Sequence, residues 1–498
     1  MSQIWIGGIL ELSSKVRYGI TSRGLPIFRF IPYERNLGPF AVGCSQRSLH
    51  NIHAIVEPIQ RIAACGEPLS RAACGEPIQR IAACGEPVKP AQPVKPEPKL
   101  LPRATIIQLL GPPTPHSETS ILLSTYAYDN KKELRKFPEL DAGVVKIIDR
   151  QRISGFTFNI DPPGCRDVDD TFTFQKISTG WIISINIADV SAYIQEGSPL
   201  DDFIRQKATS FYSPSGESLA PMLPPYIEEA ASLLPGKDKF TLSLQLHYDR
   251  DTKQLSGFRW IPSITKTTIS YTYDQAQEEY EKYEKEEFQV LAQISGSQDS
   301  HKWVEALMIL YNTKAGEMLK GLGKGVLRAH TKPQMDKLAE WTAFPELAFM
   351  AYESASFVDI SKGQEAFHYG LNTSTYAYAS SPIRRYCDLI NQRVLKGMDI
   401  KEPNVDELNR RQKQAKAFSR DLFFMRELKG SEVATGIVVS VHEAHETHFK
   451  VYVPTWKRVI KVKSLEAPPA VKTQVQLTWY DDMKSPNWKE RIVFAFRT

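Results

Sequence analysis

The chain has 498 residues, of which 42% are apolar and 24% are charged, and its formal net charge is +5. These proportions are typical of a globular protein and exclude a largely disordered chain. The length predicts two to four domains, and the mild positive charge permits a polyanionic partner without requiring one.

The cysteines and the hydropathy pattern indicate the compartment. The six cysteines show no CxxC spacing and, in a chain of this length, do not resemble a disulfide framework, so we expect a reducing compartment. No run approaches about eighteen apolar residues, and the first residues lack the pattern of a cleaved leader. We therefore expect a soluble, cytoplasmic protein with no membrane partner and no secretory signal. The sequence does not indicate which proteins, if any, it binds.

Residues 1–57 alternate apolar positions with turns, as in "WIGGILELSSKVRYGITSRGLPIFRFI". This pattern predicts a small β-barrel, either SH3-like or cold-shock-like. Basic residues outnumber acidic residues in this segment. That excess is compatible with a solvated β-surface or with a patch that faces nucleic acid.

Residues 58–103 are predicted to form a Pro-rich, repetitive linker. The unit "IQRIAACGEP" occurs twice and the shorter "LSRAACGEP" once, and "VKPAQPVKPEPK" follows. Such a short unit differs from a solenoid repeat, and each copy ends in proline. The repeats carry Cys65, Cys74 and Cys84, but thiols without paired short spacing make a weak metal site.

Residues 104–430 form the largest predicted domain, which begins with a mixed lead-in segment. Runs such as "WIISINIADVSAYI" and "FTLSLQLHYD" are typical of strands, and "SPLDDFIRQKATS" predicts a capped helix. From 274 to 429 the apolar spacing is mostly helical, and "DQAQEEYEKYEKEEFQ" predicts a charged, solvated helix face. Short alternating strands in residues 431–498 predict a five-stranded barrel of OB type.

The stretch "NIDPPGCRDVDDTF" places four carboxylates beside a Pro-Pro-Gly turn, namely Asp161, Asp167, Asp169 and Asp170. Two like charges about 4 Å apart cost on the order of 4 kcal/mol at an effective dielectric near 20, so we expect a positive charge among them. Hard divalent cations prefer such oxygen ligands, and Mg²⁺ is the first candidate. An EF-hand loop is excluded because Phe172 stands where that loop needs glycine and no Glu closes it. The remaining alternative is a solvated acidic turn.

The spacing of the four aspartates predicts how they are arranged. Side chains alternate along an extended segment, so Asp167 and Asp169 point to one side and Asp170 to the other. Asp161 must fold back across the turn at 162–164. This geometry can hold two cations roughly 4 Å apart, which activate a water molecule and stabilise the leaving oxygen of a phosphodiester.

A second candidate group lies in "SSPIRRYCDLINQR", residues 380–393. Pro382 near the first turn predicts a helix N-terminus, where backbone N–H groups and the guanidinium groups of Arg384 and Arg385 would face an anion. Taken alone, two adjacent arginines are more typical of a protein surface.

A series of motifs follows in order between residues 105 and 429: "DPPGCRDVDD", "INIADVSAYIQEGSPLD", "TSFYSPSGESLAPMLP", "SLLPGKDKF", "EALMILYN", "GVLRAHTKP" and "SSPIRRYCDL". Their order and spacing resemble the catalytic RNB domain of the ribonuclease II family, which includes ribonuclease R and the catalytic exosome subunit. The resemblance implies an α+β fold, in which a mixed β-sheet core with surrounding helices is flanked by small β-barrels. On this basis residues 104–430 are the catalytic domain, and residues 431–498 are an RNA-binding OB domain.

The resemblance also implies an activity. It implies a 3′-to-5′ exoribonuclease that processively hydrolyses single-stranded RNA to nucleoside 5′-monophosphates. It further implies dependence on Mg²⁺, as one or two ions, with Mn²⁺ as a substitute. The alternatives are a catalytically silent RNB-like RNA-binding protein and a deoxyribonuclease that uses the same chemistry.

Matched position by position, the resemblance gives each aspartate a role. Asp161 and Asp170 correspond to metal-ligating aspartates of the family. Asp167 corresponds to the aspartate that completes the cluster, and Asp169 to the one most directly tied to the chemistry.

The remaining site residues follow from the same resemblance. Arg384 corresponds to the arginine that grips the terminal phosphate, with Arg385 as its basic neighbour. Tyr212 corresponds to an aromatic that stacks on the 3′-terminal bases, although without the resemblance a core aromatic is the simpler interpretation.

The chain departs from the family where Gln392 replaces a common His and Ser419 replaces a common acidic residue, and neither change touches the aspartates. Only one candidate barrel and the repeats precede the core, so the route of RNA entry is left open.

Overall fold

A computed structural model describes residues 5–34, 37–59, 101–127, 149–426, 428, 433–441, 447–464, 467–481 and 492–497. The predicted repeats, with Cys65, Cys74 and Cys84, lie outside the described residues. The chain forms two compact units. The first consists mainly of Met1–Thr125, and the second mainly of Tyr126–Leu428 and Val433–Thr478.

Five strands of the first unit form a closed β-barrel. In chain order they are β1 (Ile6–Leu10), β2 (Ile27–Pro32), β3 (Phe40–Gly43), β4 (Ile52–Pro58) and β5 (Arg103–Gly111). They are arranged in the order β1-β2-β3-β5-β4, with β3 and β5 parallel and the other pairs antiparallel. Leu10, Phe30 and Val42 are fully buried in the barrel interior. A five-stranded Greek-key barrel of this kind is typical of OB folds.

The barrel extends beyond the boundary that the sequence predicted at residue 57. Strand β5 pairs with β4 from Pro58↔Ala104 onward and with β3 at Ala41↔Arg103. Strand β5 therefore covers the edges of β3 and β4. Without it, these edges would expose rows of unpaired backbone donors and acceptors. The predicted lead-in from residue 104 is thus the last barrel strand, followed by helix α1 (Pro115–Tyr126).

A mixed sheet of seven strands forms the centre of the second unit, and two small antiparallel pairs accompany it. In chain order the strands of this unit are β6 (Gln151–Arg152), β7 (Phe156–Ile160), β8 (Asp170–Ile177), β9 (Gly180–Ala188), β10 (Phe211–Tyr212), β11 (Ser218–Ala220), β12 (Asp238–Asp249), β13 (Leu255–Lys266), β14 (Ile269–Tyr271), β15 (Val326–Ala329) and β16 (Ser356–Asp359). The large sheet has the order β14-β7-β8-β9-β12-β13-β6, and β10–β11 and β15–β16 form the small pairs. Its inner strands are antiparallel, and β14 and β6 are parallel additions at its two edges.

Helices surround this sheet: α2 (Pro199–Lys207), α3 (Pro225–Ala231), α4 (Tyr273–Glu281), α5 (Glu286–Ser295), α6 (Ser300–Leu322), α7 (Met335–Glu340), α8 (Tyr386–Leu395) and α9 (Val405–Arg426). The predicted capped helix is confirmed, since the Ser198 side chain accepts the N–H of Asp201 at the start of α2. The charged stretch predicted as one helix is instead two, α4 and α5. Tyr283 between them has a left-handed φ of 54°, which ends helical geometry there. None of the described helices combines the length and apolar content needed to cross a bilayer.

An aromatic cluster joins β7 to the helices that pack on the sheet. The ring centroid of Phe158 lies 5.2 Å from that of Phe288 on α5 and 6.0 Å from that of Tyr271 on β14, both edge to face. It also stacks on Phe174 of β8 at 5.8 Å. Such pairs contribute about 0.5–1.5 kcal/mol each beyond the area they bury. The cluster fixes the end of β7, from which the aspartate-rich loop departs.

The C-terminal strands form a five-stranded sheet, which among the described residues does not close into the OB-type barrel that the sequence predicted. They are β17 (Val433–Val441), β18 (His448–Val453), β19 (Arg458–Lys463), β20 (Gln474–Asp481) and β21 (Ile492–Arg497), in the order β19-β18-β17-β20-β21. Within the second unit, Trp341 and Leu347 pack against Ile437 and Tyr452 of this sheet. The predicted α+β class, with a central mixed sheet and flanking small β-domains, is confirmed.

We expect Phe158→Ala to lower the free energy of unfolding of the second unit by about 3–5 kcal/mol, because removal of the ring leaves a cavity inside a packed core. Chemical denaturation followed by tryptophan fluorescence measures this loss. Tyr283→Ala is the control, since that ring is 77% exposed, and its effect should stay below about 1 kcal/mol. Equal losses in the two variants would contradict the placement of Phe158.

Candidate functional site

The aspartate-rich loop connects the end of β7 to the start of β8. Asp161 follows the last residue of β7, and its N–H donates to the carbonyl of Tyr271 on the neighbouring strand at 3.0 Å. The chain then turns at Gly164, which has a φ of +75° that other L-residues rarely adopt. Asp170 is the first residue of β8. Both ends of the loop are therefore held by the sheet.

A buried serine holds the middle of this loop. The hydroxyl of Ser232 accepts the N–H of Val168 at 3.0 Å and donates to the carbonyl of Arg166 at 2.6 Å. The next residue, Leu233, donates its N–H to the carbonyl of Val168 at 3.0 Å. These bonds fix the backbone on both sides of Asp167. The sequence analysis missed Ser232, and the only signal for it was its position in the motif "SLLPG".

Asp169 and Arg384 form an ion pair although 215 residues separate them in the chain. The Asp169 side chain is almost fully buried; its Oδ2 accepts Nε–H of Arg384 at 3.0 Å, and its Oδ1 accepts the N–H of Ile383 at 2.9 Å. Burial raises the pKa of Asp169 to about 7, even though Arg384 and the Ile383 N–H act in the opposite direction.

Arg384 remains accessible at the other side of its guanidinium. Its side chain is 47% exposed, while that of Asp169 is 3% exposed. Its Nη2 also donates to the hydroxyl of Ser381 at 3.1 Å. The fork of Arg384 is thus oriented by two protein groups and can still reach an anion that arrives from solvent.

Arg384 precedes helix α8, which corrects the predicted helix N-terminus. The carbonyl of Ser381 accepts the N–H groups of both Arg384 and Arg385, at 3.3 and 3.0 Å, and forms a turn. Arg385 is extended, bridges to Thr209 and leaves α8 to begin at Tyr386. The sequence placed the helix earlier because Pro382 suits a first helical turn as well as a tight turn.

Tyr212 and Asp167 form a second pair in the site. The phenolic hydroxyl of Tyr212, on β10, donates to Oδ2 of Asp167. Burial and the Asp167 charge both raise the pKa of Tyr212, so this hydroxyl stays protonated. The structure thus engages Tyr212 through its hydroxyl, whereas the predicted stacking on RNA bases concerns its ring.

Among the described residues, Asp169 is the one aspartate of the four that contacts a cationic side chain, and Asp167 accepts the neutral hydroxyl of Tyr212; Asp161 and Asp170 have neither partner. Asp161 accepts a hydrogen bond from the side-chain amide of Asn159 at 2.7 Å. Burial raises the pKa of both carboxyl groups, and the charge of Asp161 raises that of Asp170 further. Two desolvated carboxylates that oppose each other's ionisation form an electrostatic site for a cation.

The donor set suits one hard divalent ion better than two. Among the described residues, no group of three or more His, Cys, Asp or Glu side chains is placed to hold a metal ion. Mg²⁺ is commonly held by one or two carboxylates, with water and substrate phosphate completing its shell. Asp161 and Asp170 fit that pattern. Asp167 and Asp169 already accept hydrogen bonds from Tyr212 and Arg384, so a second ion would share its ligands with these partners.

Of the two departures from the family pattern, Gln392 reaches the aspartate loop through one residue, because the N–H of its partner Ala188 donates to the carbonyl of Asp169 at 2.8 Å. Gln392 is fully buried, donates to the carbonyl of Ala188 at 2.8 Å and accepts the N–H of Ser191 at 3.1 Å. It supports the end of strand β9. Ser419 is exposed on helix α9.

Comparison with known proteins identifies the family of the chain. The family model of the RNB domain matches residues 150–293 and 282–399, which together make up half of the chain. Ribonuclease R of Buchnera aphidicola subsp. Acyrthosiphon pisum is 26% identical over 373 residues, covering 59% of this chain and 48% of that protein. The chain thus spans about half the length of the curated relatives it matches.

Solved structures share the fold. Mycoplasma genitalium RNase R, in complex with ribose methylated single-stranded RNA, has a TM-score of 0.73 at 13% identity, covering 100% of this chain and 90% of that chain. Yeast Ssd1, described as a pseudonuclease, has a TM-score of 0.63 at 15% identity, covering 97% of this chain and 68% of its own. At these identities the likeness concerns the fold alone. The match of the RNB domain model over half of the chain leads to one conclusion: this chain belongs to the RNB domain family.

Proposed function

We propose that the chain is a metal-dependent 3′-to-5′ exoribonuclease that hydrolyses single-stranded RNA to nucleoside 5′-monophosphates. The observation that carries this proposal is the division of the four aspartates. Asp169 is paired with Arg384 and Asp167 accepts the Tyr212 hydroxyl, whereas the half-buried Asp161 and Asp170 have neither kind of partner among the described residues. This arrangement provides a site for a cation beside an accessible guanidinium.

Asp161 and Asp170 would hold one divalent cation, with Mg²⁺ as first choice and Mn²⁺ as a substitute. When bound, such an ion polarises a phosphoryl oxygen and lowers the pKa of a coordinated water. A second ion, as expected from the resemblance, would draw on Asp167 or Asp169, whose carboxylates already accept hydrogen bonds from Tyr212 and Arg384.

Asp169 is suited to move a proton. Burial raises its pKa to about 7, and a general base works best when its pKa lies near the operating pH. Its hydrogen bond from the Ile383 N–H leaves the carboxylate in a fixed orientation. In this role Asp169 accepts a proton from the attacking water, and its pairing with Arg384 stabilises the ionised form.

Arg384 is suited to bind the scissile phosphate. Its exposed guanidinium edge donates to phosphoryl oxygens, whose negative charge increases during in-line displacement. Tyr212 holds Asp167 through its hydroxyl. Its ring would stack on a 3′-terminal base, an interaction of about 1–3 kcal/mol that does not depend on sequence.

The relatives support this activity and also define its rival. The matched relatives include proteins named ribonuclease R and exoribonuclease 2, and the Mycoplasma RNase R structure contains single-stranded RNA. The likeness to yeast Ssd1, a pseudonuclease, favours a silent RNA-binding protein as the second candidate. The presence of all four aspartates favours catalysis.

The activity is tested with 5′-labelled single-stranded RNA in Mg²⁺ or in EDTA. We expect stepwise shortening from the 3′ end in Mg²⁺ alone, and a fall of about 10²–10⁴-fold in Asp169→Asn, because the general base is lost. Binding of the RNA by this variant, measured by fluorescence anisotropy, should stay nearly unchanged.

Asp202→Asn is the matched control, because Asp202 is exposed on α2. It should retain wild-type turnover. Binding without metal-dependent shortening by the wild-type protein would favour the silent RNA-binding protein, and equal shortening of a DNA substrate would favour a deoxyribonuclease.

The unneutralised pair also predicts an effect on stability. The folded-state pKa of Asp170 is raised, mainly by burial and then by Asp161, so its ionisation opposes folding. This cost is absent below the unfolded-state pKa of about 4 and increases as the pH rises above it. Asp170→Asn should therefore raise the melting temperature in EDTA at pH 7 by about 2–4 °C, but not at pH 4.

Differential scanning fluorimetry measures this change. Asp202→Asn should give no increase at either pH, since that carboxylate is exposed. A lower melting temperature for Asp170→Asn at pH 7 would mean that the carboxylate is stabilised by the protein itself.

A further inference from the structure

Two adjacent arginines, Arg384 and Arg385, have different partners in the structure. Arg384 contacts Asp169 at the catalytic loop. Arg385 donates from Nη2 to Oδ1 of Asp388 at 2.7 Å, one turn into helix α8. The side chain of Arg385 is 26% exposed, compared with 47% for Arg384.

Asp388 connects Arg385 to the start of the turn. Its side chain is fully buried, and the same Oδ1 that accepts from Arg385 also accepts the N–H of Ser381 at 2.8 Å. Ser381 in turn accepts Nη2–H of Arg384 through its hydroxyl. One carboxylate oxygen therefore ties together both ends of the turn that carries Arg384.

An aromatic ring holds the Arg385 guanidinium from another direction. The guanidinium carbon lies 4.1 Å from the ring centroid of Tyr378. A second guanidinium, that of Arg328, lies 5.2 Å from the same ring and donates to Gln412 of helix α9 at 2.7 Å. Arg328 is 3% exposed. Through the Tyr378 ring, Arg385 is thus packed against a buried residue of the domain, Arg328.

These contacts leave Arg385 poorly placed for RNA. Its Nε is buried from solvent and makes no hydrogen bond among the described residues. To bind a phosphate through Nη2, Arg385 would have to leave Asp388 as a buried, unpaired charge, and breaking such pairs typically costs about 3–5 kcal/mol. Arg384 faces no comparable penalty at its exposed edge.

We propose that Arg385 is a positioning residue that acts through Arg384 and is not itself a phosphate ligand. It fixes the Ser381–Asp388 contact and the Tyr378 ring, and thereby the turn that presents Arg384. The proposal rests on the proposed function, because it assigns Arg384 to the RNA phosphate. It replaces the sequence-based expectation that both arginines bind RNA.

The test is a double-mutant cycle on the salt dependence of RNA binding. The affinity for a fluorescent single-stranded RNA is measured by anisotropy in EDTA over a range of NaCl concentrations. Each phosphate contact adds about 0.7 to the slope of log affinity against log salt. We expect Arg384→Ala to lose about 0.7 from this slope, and Arg385→Ala to show a measurable loss that does not exceed about 0.7.

The double variant decides between the two roles. If Arg385 acts through Arg384, the double variant has the same slope and affinity as Arg384→Ala. A loss of about 1.4 would make Arg385 a separate phosphate ligand and overturn the proposal. Arg385→Ala with wild-type binding and wild-type shortening of RNA would overturn it as well.

A neutral substitution provides the same test if Arg385→Ala does not fold. Tyr378→Leu removes the ring under Arg385 without removing a charge, and Tyr378→Phe retains the ring as a matched control. Tyr378→Leu should reduce the salt slope in the wild-type background but not in Arg384→Ala, and Tyr378→Phe should leave it unchanged. An equal effect of Tyr378→Leu in both backgrounds would contradict the proposal.

These outcomes are separable from those of the proposed function. The cycle uses binding in EDTA and needs no catalysis. If the wild-type protein binds RNA but never shortens it, the proposed exoribonuclease activity is rejected. The double-mutant cycle would still decide whether Arg385 is a positioning residue or a phosphate ligand.

Discussion

The site depends on one constraint: the negative charges of four aspartates in one short loop must be offset by hydrogen-bond donors or positive charges. Buried charges must be paired or hydrogen-bonded, because the low-dielectric interior increases their mutual repulsion. The protein supplies Arg384 to Asp169 and the Tyr212 hydroxyl to Asp167. It supplies no cation in direct contact with Asp161 and Asp170 among the described residues. We therefore propose this pair as the place of the external cation.

The fold satisfies this constraint by joining distant parts of the chain. The loop is held at its ends by strands β7 and β8 and in its middle by Ser232. The opposing turn is held by Asp388 at the start of helix α8. Because each segment is held by hydrogen bonds of its own, the Asp169–Arg384 pair lies between two supported turns. Such preorganisation reduces the reorganisation that catalysis would otherwise require.

The sequence predicted some of this organisation and missed the rest for physical reasons. The aspartate cluster and the mixed sheet follow from local patterns, and the motif order brought Arg384 to the same site. The closure of the barrel by β5 was missed because that strand lies beyond the repetitive segment. The partners of Tyr212 and Arg385 were missed because side-chain direction depends on residues supplied by other elements, which spacing alone does not specify.

The central claim is that Asp161 and Asp170 form the cation site, whereas Asp167 belongs to Tyr212. Titration of the metal-free protein with Mn²⁺, followed by electron paramagnetic resonance of the free ion, measures this directly. We expect stoichiometric binding to disappear in Asp161→Asn and in Asp170→Asn and to persist in Asp167→Asn. Loss of Mn²⁺ binding in Asp167→Asn to the same extent, or its retention in Asp170→Asn, would contradict the account.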